Sequence, residues 1–545
     1  MIIDVRSLSS EEVLKTQVCI VGAGPAGLTM AREFANQNFQ VYLLESGGVE
    51  YDEDTQSLSD GIVVGDPYPV VSETRRRQLG GTPHCWKGQS GYKKYGWRCL
   101  PLDAIDFEQR DWVPHSGWPF TKADLDPFYA RAQAVCQIGP YVYDTEAWQD
   151  QQAKPLVFKS DRLTTGISQY GLRDPFTTDY PKALQQAANI KILLYANVVE
   201  IETDETGQQV TRLRIATLQG NQFLLEANLF ILATGGMENA RLLLASNRQY
   251  PDGVGNQHDV VGRYFMDRPI LSCTLIPYSS NIFDQTNLYD IYHTKQGSVM
   301  AYVKLSEATM RQERLLNNGA QLFPRTLSHQ REATLALREL FTSVRHGKLP
   351  QDLAKQLHMM LWGGNYLAAA VFWSAIRSIP PLRRGDWSYL PYEKWRFSQF
   401  EIFYQMEQTP DPDNQIALST ERDRLGLPKT KIRWHLNDID IQSAIRIQEI
   451  WAEEFDKAGI GQLQFTRNWA EQKFEKTAMH HHLGSTRMHH NPKQGVVDAN
   501  CKVHGMVNLF IAGCSVFPTA GYSNPTLTMI ALSLRLADHI KTLMD

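Results

Sequence analysis

A glycine-rich turn between an apolar strand and a helix, near the N-terminus, constrains the fold more than any other feature of this chain. The apolar run Val18–Val21 precedes Gly22, Gly24 and Gly27, which have the G-x-G-x-x-G spacing. A short apolar run followed by glycine predicts a strand buried on both faces, as in a parallel sheet. The first glycine permits a tight turn, the second lets a pyrophosphate approach the backbone, and the third lets the helix lie close to the sheet.

The residues that follow complete a strand-helix-strand unit. A helical pattern starts at Pro25 and Ala26 and leads to a second apolar strand that ends at Glu45 and Ser46. The helix N-terminus offers free N–H groups and a partial positive charge to phosphates. A carboxylate at the end of the second strand can accept both ribose hydroxyls. The segment therefore predicts a dinucleotide site, and these residues alone fit FAD and NAD equally.

Composition restricts the class of protein. A chain of 545 residues predicts two domains, and 43% apolar with 21% charged residues is typical of a soluble globular protein. The formal net charge of -4 predicts no nucleic-acid partner. Seven scattered cysteines without a C-x-x-C pair indicate reduced thiols and a cytoplasmic location. We see no secretory signal and predict no transmembrane segment.

Candidate catalytic side chains lie near the other end of the chain. His480, His481 and His482 are adjacent, and Asn524 follows downstream. A neutral imidazole can remove an alcohol proton near pH 7, and an amide N–H can hold the developing alkoxide. The alternative is a buried structural histidine and an asparagine that caps a helix. No metal site is predicted, because adjacent side chains on a strand point to opposite faces.

Several motifs occur together in a recognisable order. They are the N-terminal fingerprint, Gly80-Gly81-Thr82, a strand ending in Ala233-Thr234-Gly235, and the C-terminal block with His481 and Asn524. Together they resemble the glucose-methanol-choline (GMC) oxidoreductases, and Asp106–Pro119 is similar to the sugar-dehydrogenase and pyranose-oxidase side of that family. The resemblance covers roughly residues 15–135, 190–270 and 400–545.

The resemblance implies an α/β, two-domain fold. A Rossmann-like FAD-binding domain of the glutathione-reductase type would comprise residues 1–260 and 478–545. Residues 261–477 would form a substrate-binding domain, an antiparallel sheet with helices behind it. A closing helix is predicted over Leu527–Leu543, because apolar and polar residues alternate there at helical spacing.

The resemblance also assigns site residues. The family frame H-x-x-G-[ST]-x-x-M selects His481 as the catalytic base, and Asn524 is its partner. The residues implied to bind FAD are Gly22, Gly24, Pro25, Ala26, Gly27, Glu45, Ser46, Gly80, Gly81, Thr82, Cys85, Val199, Ala233, Thr234, Gly235, Gly513, Cys514, Pro525 and Thr526.

The implied activity is oxidation of an alcohol carbon to a carbonyl, with hydride passing to flavin N5. The substrate would be a small-molecule alcohol: a sugar, a glycoside or a natural product. Oxygen or another acceptor would reoxidise the flavin, so oxidase and dehydrogenase both stay open. The alternative is a lyase, cyclase or photodecarboxylase on the same scaffold. The oligomeric state is not predicted.

Three segments depart from the family pattern. Some members bind flavin covalently through a histidine at the position of Cys85, and His84 lies one residue earlier. Non-covalent FAD is predicted; a cysteinyl or shifted histidyl link, or a thiol that only lines the pocket, stays open. Arg268 stands where relatives often have histidine, and no role is assigned to it. Within the poorly matching residues 304–397, Leu353–Ile376 fits a core helix, a channel wall or a membrane or partner contact.

Overall fold

The computed structural model describes residues 1–8, 12–85, 97–171, 174–325, 328–345, 349–350, 352–364, 367, 397–465 and 480–544. In chain order the strands are β1 Ile2–Asp4, β2 Val13–Val21, β3 Val41–Glu45, β4 Gly61–Gly65, β5 Arg98–Cys99, β6 Leu163–Tyr170, β7 Ile190–Leu194, β8 Asn197–Thr203, β9 Val210–Ala216, β10 Gln222–Leu232, β11 Ile270–Pro277, β12 Tyr292–His293, β13 Ser298–Leu305, β14 Asn318–Arg325, β15 Gln399–Met406, β16 Gln415–Arg422, β17 Pro428–Trp434, β18 Gly461–Gln464 and β19 Leu509–Ile511.

The α-helices connect and cover these strands. They are α1 Pro25–Phe34, α2 Glu53–Ser57, α3 Ala104–Phe107, α4 Lys122–Cys136, α5 Asp179–Gln186, α6 Glu238–Ala245, α7 Glu307–Glu313, α8 Ser328–Arg345, α9 Leu353–Trp362, α10 Asp438–Lys457 and α11 Thr526–Met544. None of the helices in the described ranges is long and apolar enough to cross a membrane.

The first sheet has the order β1-β7-β3-β2-β10-β9-β8, and β19 joins it beside β10. The neighbours β1, β7, β3, β2 and β10 are parallel to one another, and β19 is parallel to β10. Strand β9 is antiparallel to β10, and β8 is antiparallel to β9. The predicted buried strand Val18–Val21 and the helix from Pro25 are confirmed. The predicted closing helix is also present, as α11, and it packs against α1 and α4.

The second sheet has the order β18-β11-β15-β14-β13-β6-β5, with β12 beside β13. All of its pairs are antiparallel. Its apolar face forms a core with α10, in which Leu271, Ile402, Ile447 and Trp451 are buried. Strands β5 and β6 belong to this sheet although they precede residue 260. The chain therefore crosses between the sheets early, and the domain limits given above stay a prediction.

A small third sheet, β16-β17-β4, includes one strand from the N-terminal part of the chain and two from the C-terminal part. The pair β17 and β4 is parallel, with Thr430 opposite Gly61. The same region holds the buried guanidinium of Arg241, which forms ion pairs with Asp423 and Glu238. These contacts connect α6, which follows β10, to the strands of the third sheet.

Helix α9 lies at the surface. Leu361 is 81% exposed and Trp362 is 71% exposed, while Gln356 is the buried residue of the helix. The interpretation of this segment as a core helix therefore does not hold for α9. The part of the predicted stretch from residue 368 to Ile376 lies outside the described residues.

Candidate active site

The N-terminal fingerprint is folded as a tight turn whose glycines face neighbouring backbone. Gly22 has φ +105°, and a Cβ there would lie 2.5 Å from the carbonyl oxygen of Ala233. A Cβ on Gly27 would overlap the carbonyl oxygen of Gly22. Side chains at either position would push the turn away from β10 or α1 away from the turn. Both glycines are therefore required by packing, as the fingerprint predicts.

The pair Gly80 and Gly81 closes over this turn. The N–H of Gly80 donates a hydrogen bond to the carbonyl oxygen of Ala23 at 3.0 Å. Gly81 has φ +70°, and a Cβ there would lie 2.9 Å from Cα of Gly24. Thr82 follows directly. The structure thus brings together two glycine segments that are well separated in sequence, as a dinucleotide site requires.

Open space lies beside this double turn. A Cβ on Gly24 or on Gly235 would meet no heavy atom within 4 Å, and one on Gly513 would have its nearest neighbour at 4.0 Å. Pro25 and Ala26 begin α1 at the same place. A cavity next to backbone N–H groups at a helix N-terminus suits a pyrophosphate. The residues present therefore fit the dinucleotide that the motifs imply.

Glu45 lies buried at the end of β3, where the ribose-binding carboxylate is expected. One carboxylate oxygen accepts the N–H of Ala23 at 3.1 Å, and the other accepts the N–H of Gly47 at 2.9 Å and faces the Ser46 hydroxyl. Burial raises the pKa of the Glu45 carboxyl, and these hydrogen bonds oppose the rise. The N–H of Ala196 donates to the carbonyl oxygen of Glu45. Val199 follows shortly after Ala196, on β8.

The strand end Ala233-Thr234-Gly235 is held against the C-terminal segment. The N–H and hydroxyl of Thr234 donate to Oδ1 of Asn239, and Nδ2 of Asn239 donates to Oγ of Ser515 at 2.9 Å. The N–H of Ala512 donates to the carbonyl oxygen of Leu232 at 2.8 Å. Gly513 and Cys514 therefore lie beside Gly235, next to the open space described above.

The two candidate attachment residues point in different directions. Nε2 of His84 lies 2.9 Å from the carbonyl oxygen of Leu79, so this nitrogen carries the proton and donates. Sγ of Cys85 accepts from Nε of Arg76 at 3.3 Å. Both side chains are half-buried.

The catalytic pair expected from the sequence meets in the structure. Nδ2 of Asn524 lies 3.4 Å from Nε2 of His481. Asn524 precedes Pro525 and Thr526 at the start of α11, and His481 lies in an extended segment whose neighbour Leu483 bridges to Met266. The hydroxyl of Ser485 donates to the carbonyl oxygen of Gly236. This contact fixes the histidine segment directly beside the open space at Gly235.

Asp267, which the sequence did not single out, supports His481 from behind. Its Oδ1 accepts the backbone N–H of His481 at 3.1 Å and lies 3.8 Å from Nδ1 of the ring. Its Oδ2 accepts the hydroxyl of Tyr68 at 2.5 Å. The carboxylate thus faces the ring nitrogen that is remote from Asn524.

Two buried arginines face the pair, and only one of them stood out in the sequence as a departure. Arg268 has Nη2 3.0 Å from Nε2 of His481 and Nη1 3.3 Å from Oδ1 of Asn524. Arg98 has Nε 3.0 Å from the same Oδ1. Guanidinium groups only donate, so Oδ1 is the acceptor and Nδ2 faces His481. By the same argument Nε2 of His481 accepts, which assigns the ring proton to Nδ1, on the Asp267 side.

This environment keeps the imidazole neutral. Burial, followed by the positive charge of Arg268, lowers the pKa of His481 well below its usual 6.5. The neighbouring His482 turns away, with its ring centroid 6.2 Å from that of Phe265. Within the described ranges no group of three or more His, Cys, Asp or Glu residues could hold a metal ion.

Comparison with known proteins finds a family model and relatives that match this chain. A family model described as GMC oxidoreductase matches residues 410–533, the part that contains His481 and Asn524. The fructose dehydrogenase large subunit of Gluconobacter japonicus is 21% identical over 97% of this chain and 98% of its own length. The C-terminal part of the chain thus matches the GMC oxidoreductase family model, and the chain resembles this relative over nearly its whole length. The 2-methyl-1,2-propanediol dehydrogenase of Mycolicibacterium austroafricanum is 21% identical over 96% of this chain and 95% of its own length.

The fold of the chain is also that of a solved structure. A formate oxidase crystal structure aligns with a TM-score of 0.53 at 17% identity, over 98% of this chain and 99% of the other. The expected fold class, an α/β two-domain protein with a Rossmann-like part, is confirmed. The enzyme class is confirmed as well, since the related proteins are dehydrogenases and oxidases of the same family.

Proposed function

We propose that this protein oxidises an alcohol carbon to a carbonyl with FAD as its cofactor. The observation that carries the proposal is the accepting Nε2 of His481 beside the donating amide of Asn524. The segment that carries His481 is hydrogen-bonded to Gly236, next to the open space at Gly235. A base and an oxygen-binding amide at the edge of a dinucleotide cradle suit the removal of a proton and a hydride from one carbinol.

Residues of the fingerprint, the Gly80-Gly81 turn, Glu45 and the Ala233–Gly235 strand end would hold FAD. Thr82, Gly513, Cys514 and the start of α11 would complete its site. Bound FAD supplies the two-electron acceptor for the hydride. Because His84 donates to Leu79 and Cys85 contacts Arg76, we propose that FAD binds without a covalent bond.

The chain's own groups handle the proton and the oxygen. Nε2 of neutral His481 takes the proton of the substrate hydroxyl, and the hydrogen on the same carbon leaves as hydride. The N–H of Asn524 donates to the oxygen as negative charge develops on it. Asp267 lies next to Nδ1 and favours the imidazolium that forms, because a carboxylate stabilises a nearby cation. The product is the aldehyde or ketone.

His481 and Asn524 do not determine which electron acceptor or which alcohol the protein uses. The relatives include dehydrogenases and oxidases, so oxygen and another acceptor are both proposed as partners for reoxidation. We propose a sugar, glycoside or natural-product alcohol as the substrate, because Gln321, Gln405 and Tyr170 place hydrogen-bonding groups among the apolar side chains on the second sheet's other face. On that face Nε2 of Gln321 donates to the hydroxyl of Tyr170 at 3.0 Å.

A direct experiment tests the proposal. The purified protein is assayed for flavin absorbance, reconstituted with FAD, and mixed anaerobically with a panel of alcohols. We expect bleaching of the flavin band by at least one alcohol. The His481→Ala variant should retain FAD and reduce it on the order of 10²–10⁴ times more slowly, the usual size of a general-base effect. A protein that stays colourless after FAD is added would refute the proposal, and so would a variant that retains the wild-type rate.

A further inference from the structure

We propose that Arg98 and Arg268 form a carboxylate-binding site, so that the preferred substrate is a hydroxy acid and not a neutral alcohol. This inference rests on the function proposed above and specifies its substrate class. Both arginines are positioned by strands of the second sheet: Arg98 lies on β5, and Arg268 lies just before β11. Both reach the oxygen of Asn524 and therefore lie beside the reacting carbinol.

Arg98 and Arg268 carry buried positive charges that no carboxylate of the described residues neutralises. Arg98 is 7% exposed and Arg268 is 2% exposed. Neither guanidinium lies within ion-pair distance of a carboxylate among the described residues. Asp267 precedes Arg268, but its oxygens accept the Tyr68 hydroxyl and backbone N–H groups and not the guanidinium.

Three other buried arginines, Arg75, Arg110 and Arg241, are paired with carboxylates, whereas the buried Arg487 donates to the carbonyl oxygen of His115. Arg110 makes a bidentate contact with Glu407, and Arg241 contacts Asp423 at 2.6 Å. A buried cation without an anion is costly, whereas a pair that gains hydrogen bonds offsets much of that cost. Arg98 and Arg268, by contrast, lie together without a carboxylate among the described residues, at the place where the substrate must bind. An anionic group on the substrate would supply the missing partner.

Arg268 has a hydrogen-bond donor from which no described atom accepts. Nε of Arg268 is buried and has no hydrogen-bond partner among the described atoms. Arg98 directs one terminal nitrogen to Oε1 of Gln405, on the polar face of β15. Guanidinium groups bind carboxylates through pairs of parallel hydrogen bonds, which a neutral hydroxyl cannot form. Nε of Arg75, Arg110 and Arg487 also lacks a partner, so it is the position of Arg268 beside His481 and Asn524 that points to a substrate group.

The short distance between Arg268 and His481 limits where the carboxylate can lie in the substrate. Nη2 of Arg268 is only 3.0 Å from Nε2 of His481, the atom that takes the hydroxyl proton. A carboxylate held by this arginine must be attached to the carbinol carbon or to the next carbon. The site therefore fits a 2-hydroxy or 3-hydroxy acid. Gln321, Gln405 and Tyr170 on the sheet face can bind further hydroxyls, which extends the class to polyhydroxy acids such as aldonates.

Matched pairs of compounds test this inference on the FAD-loaded protein. The reactive pairs are lactate with 1,2-propanediol, glycerate with glycerol, and gluconate with glucitol; anaerobic flavin bleaching is the readout. The unreactive pair is 2-hydroxyisobutyrate and its amide. Neither compound has a hydrogen on its carbinol carbon, so neither can transfer a hydride. The dissociation constants of this pair come from perturbation of the flavin spectrum and from the thermal shift. We expect the carboxylates to react faster, and 2-hydroxyisobutyrate to bind at least about tenfold more tightly than the amide.

Variants assign the effect to the two arginines. Arg268→Gln and Arg98→Gln should each weaken 2-hydroxyisobutyrate binding on the order of 10- to 100-fold, the range for a charge-assisted hydrogen bond, and leave amide binding nearly unchanged. Arg98→Lys should restore part of the affinity, because the charge is kept and the planar fork is lost. Arg311→Gln, an exposed arginine on α7 paired with Glu307 and Glu108, is the matched control and should change neither. If Arg268→Gln fails to fold, Arg98→Gln and Arg98→Lys decide.

The outcomes separate this inference from the function beneath it. If no compound of either class bleaches bound flavin, the proposed function fails. If neutral alcohols bleach it and the carboxylates neither bind nor react preferentially, the function stands and the carboxylate site is refuted. The site is also refuted if the variants change the flavin reduction potential while acid and amide lose affinity equally, since the arginines would then act on the flavin.

Discussion

The guanidinium of Arg268 lies 3.0 Å from Nε2 of His481, so a buried cation donates to the atom proposed to remove the substrate proton. The contact has two effects. It fixes the tautomer of the imidazole, and it opposes protonation of the ring before substrate arrives. A base held neutral in this way can accept a proton over the whole physiological pH range once the substrate hydroxyl replaces the guanidinium at Nε2.

The pH profile of flavin reduction should reflect this contact. Burial and Arg268 lower the pKa of His481 well below 6.5, and only the neutral ring can accept a proton. We therefore expect rates at saturating substrate to stay level from pH 8 to below pH 6.5. In Arg268→Gln the acid limb should move to higher pH, because removal of the cation raises the pKa of the ring. A wild-type acid limb above pH 6.5, or one that Arg311→Gln moves equally, would contradict this account.

Asn524→Ala should slow flavin reduction without loss of FAD. The amide N–H is the proposed donor to the developing alkoxide, and removal of one such donor costs on the order of 10²–10³ in rate. Stopped-flow absorbance under anaerobic conditions measures the step directly. Asn524→Asp provides a second test, since a carboxylate there would face Arg98 and Arg268 and cannot donate when ionised. A rate near wild type in both variants would remove Asn524 from the mechanism.

Gly24→Ala should separate folding from cofactor binding. Gly24 has φ -79°, which alanine adopts without strain, and the added Cβ would meet no protein atom within 4 Å. We expect a folded protein whose FAD affinity is at least about tenfold lower, because the methyl group occupies space that the pyrophosphate needs. Gly364→Ala, another glycine with open space around its Cβ, serves as the control. Unchanged FAD affinity in Gly24→Ala would place the pyrophosphate elsewhere.

Acid precipitation should release the flavin into the supernatant. His84 donates its Nε2 proton to Leu79, and Cys85 contacts Arg76, so neither side chain is held free for attachment. The Cys85→Ser variant should give the same result as wild type. Colour that stays in the wild-type pellet and moves to the supernatant in Cys85→Ser would instead establish a cysteinyl link.

Stability should depend on pH through Asp440, a buried residue in the first turn of α10. Burial raises its pKa from 3.8 to about 7, so the folded state favours the neutral carboxyl. The stabilisation is complete below pH 3.8 and is lost as pH rises through about 7. Between pH 6 and pH 8 this loss amounts to about 1 kcal/mol. Chemical denaturation of Asp440→Asn should therefore show a smaller loss over that interval; an equal loss would show that another group is responsible.

The sequence alone predicts the features that depend on local spacing. The strand before Gly22, the helix after it and the buried Glu45 follow from the periodicity of one short segment. The meeting of His481 with Asn524 follows from the family frame. Arg98 could not be predicted, because its approach to Asn524 depends on the pairing of β5 with β6 in the second sheet. Asp267 directly precedes Arg268 in the chain, but nothing in its spacing indicates the contact with His481.

Strand β19 gives the first sheet a dependence on the order of synthesis. It pairs with β10, and about 280 residues of chain separate the two strands, a long loop whose closure is entropically costly. The histidine segment and Asn524 belong to the same late part of the chain. The fingerprint turn, by contrast, is complete early. A nascent chain on the ribosome therefore holds the glycine turns without His481 and Asn524, and the site is complete only after β19 and the start of α11 have been released.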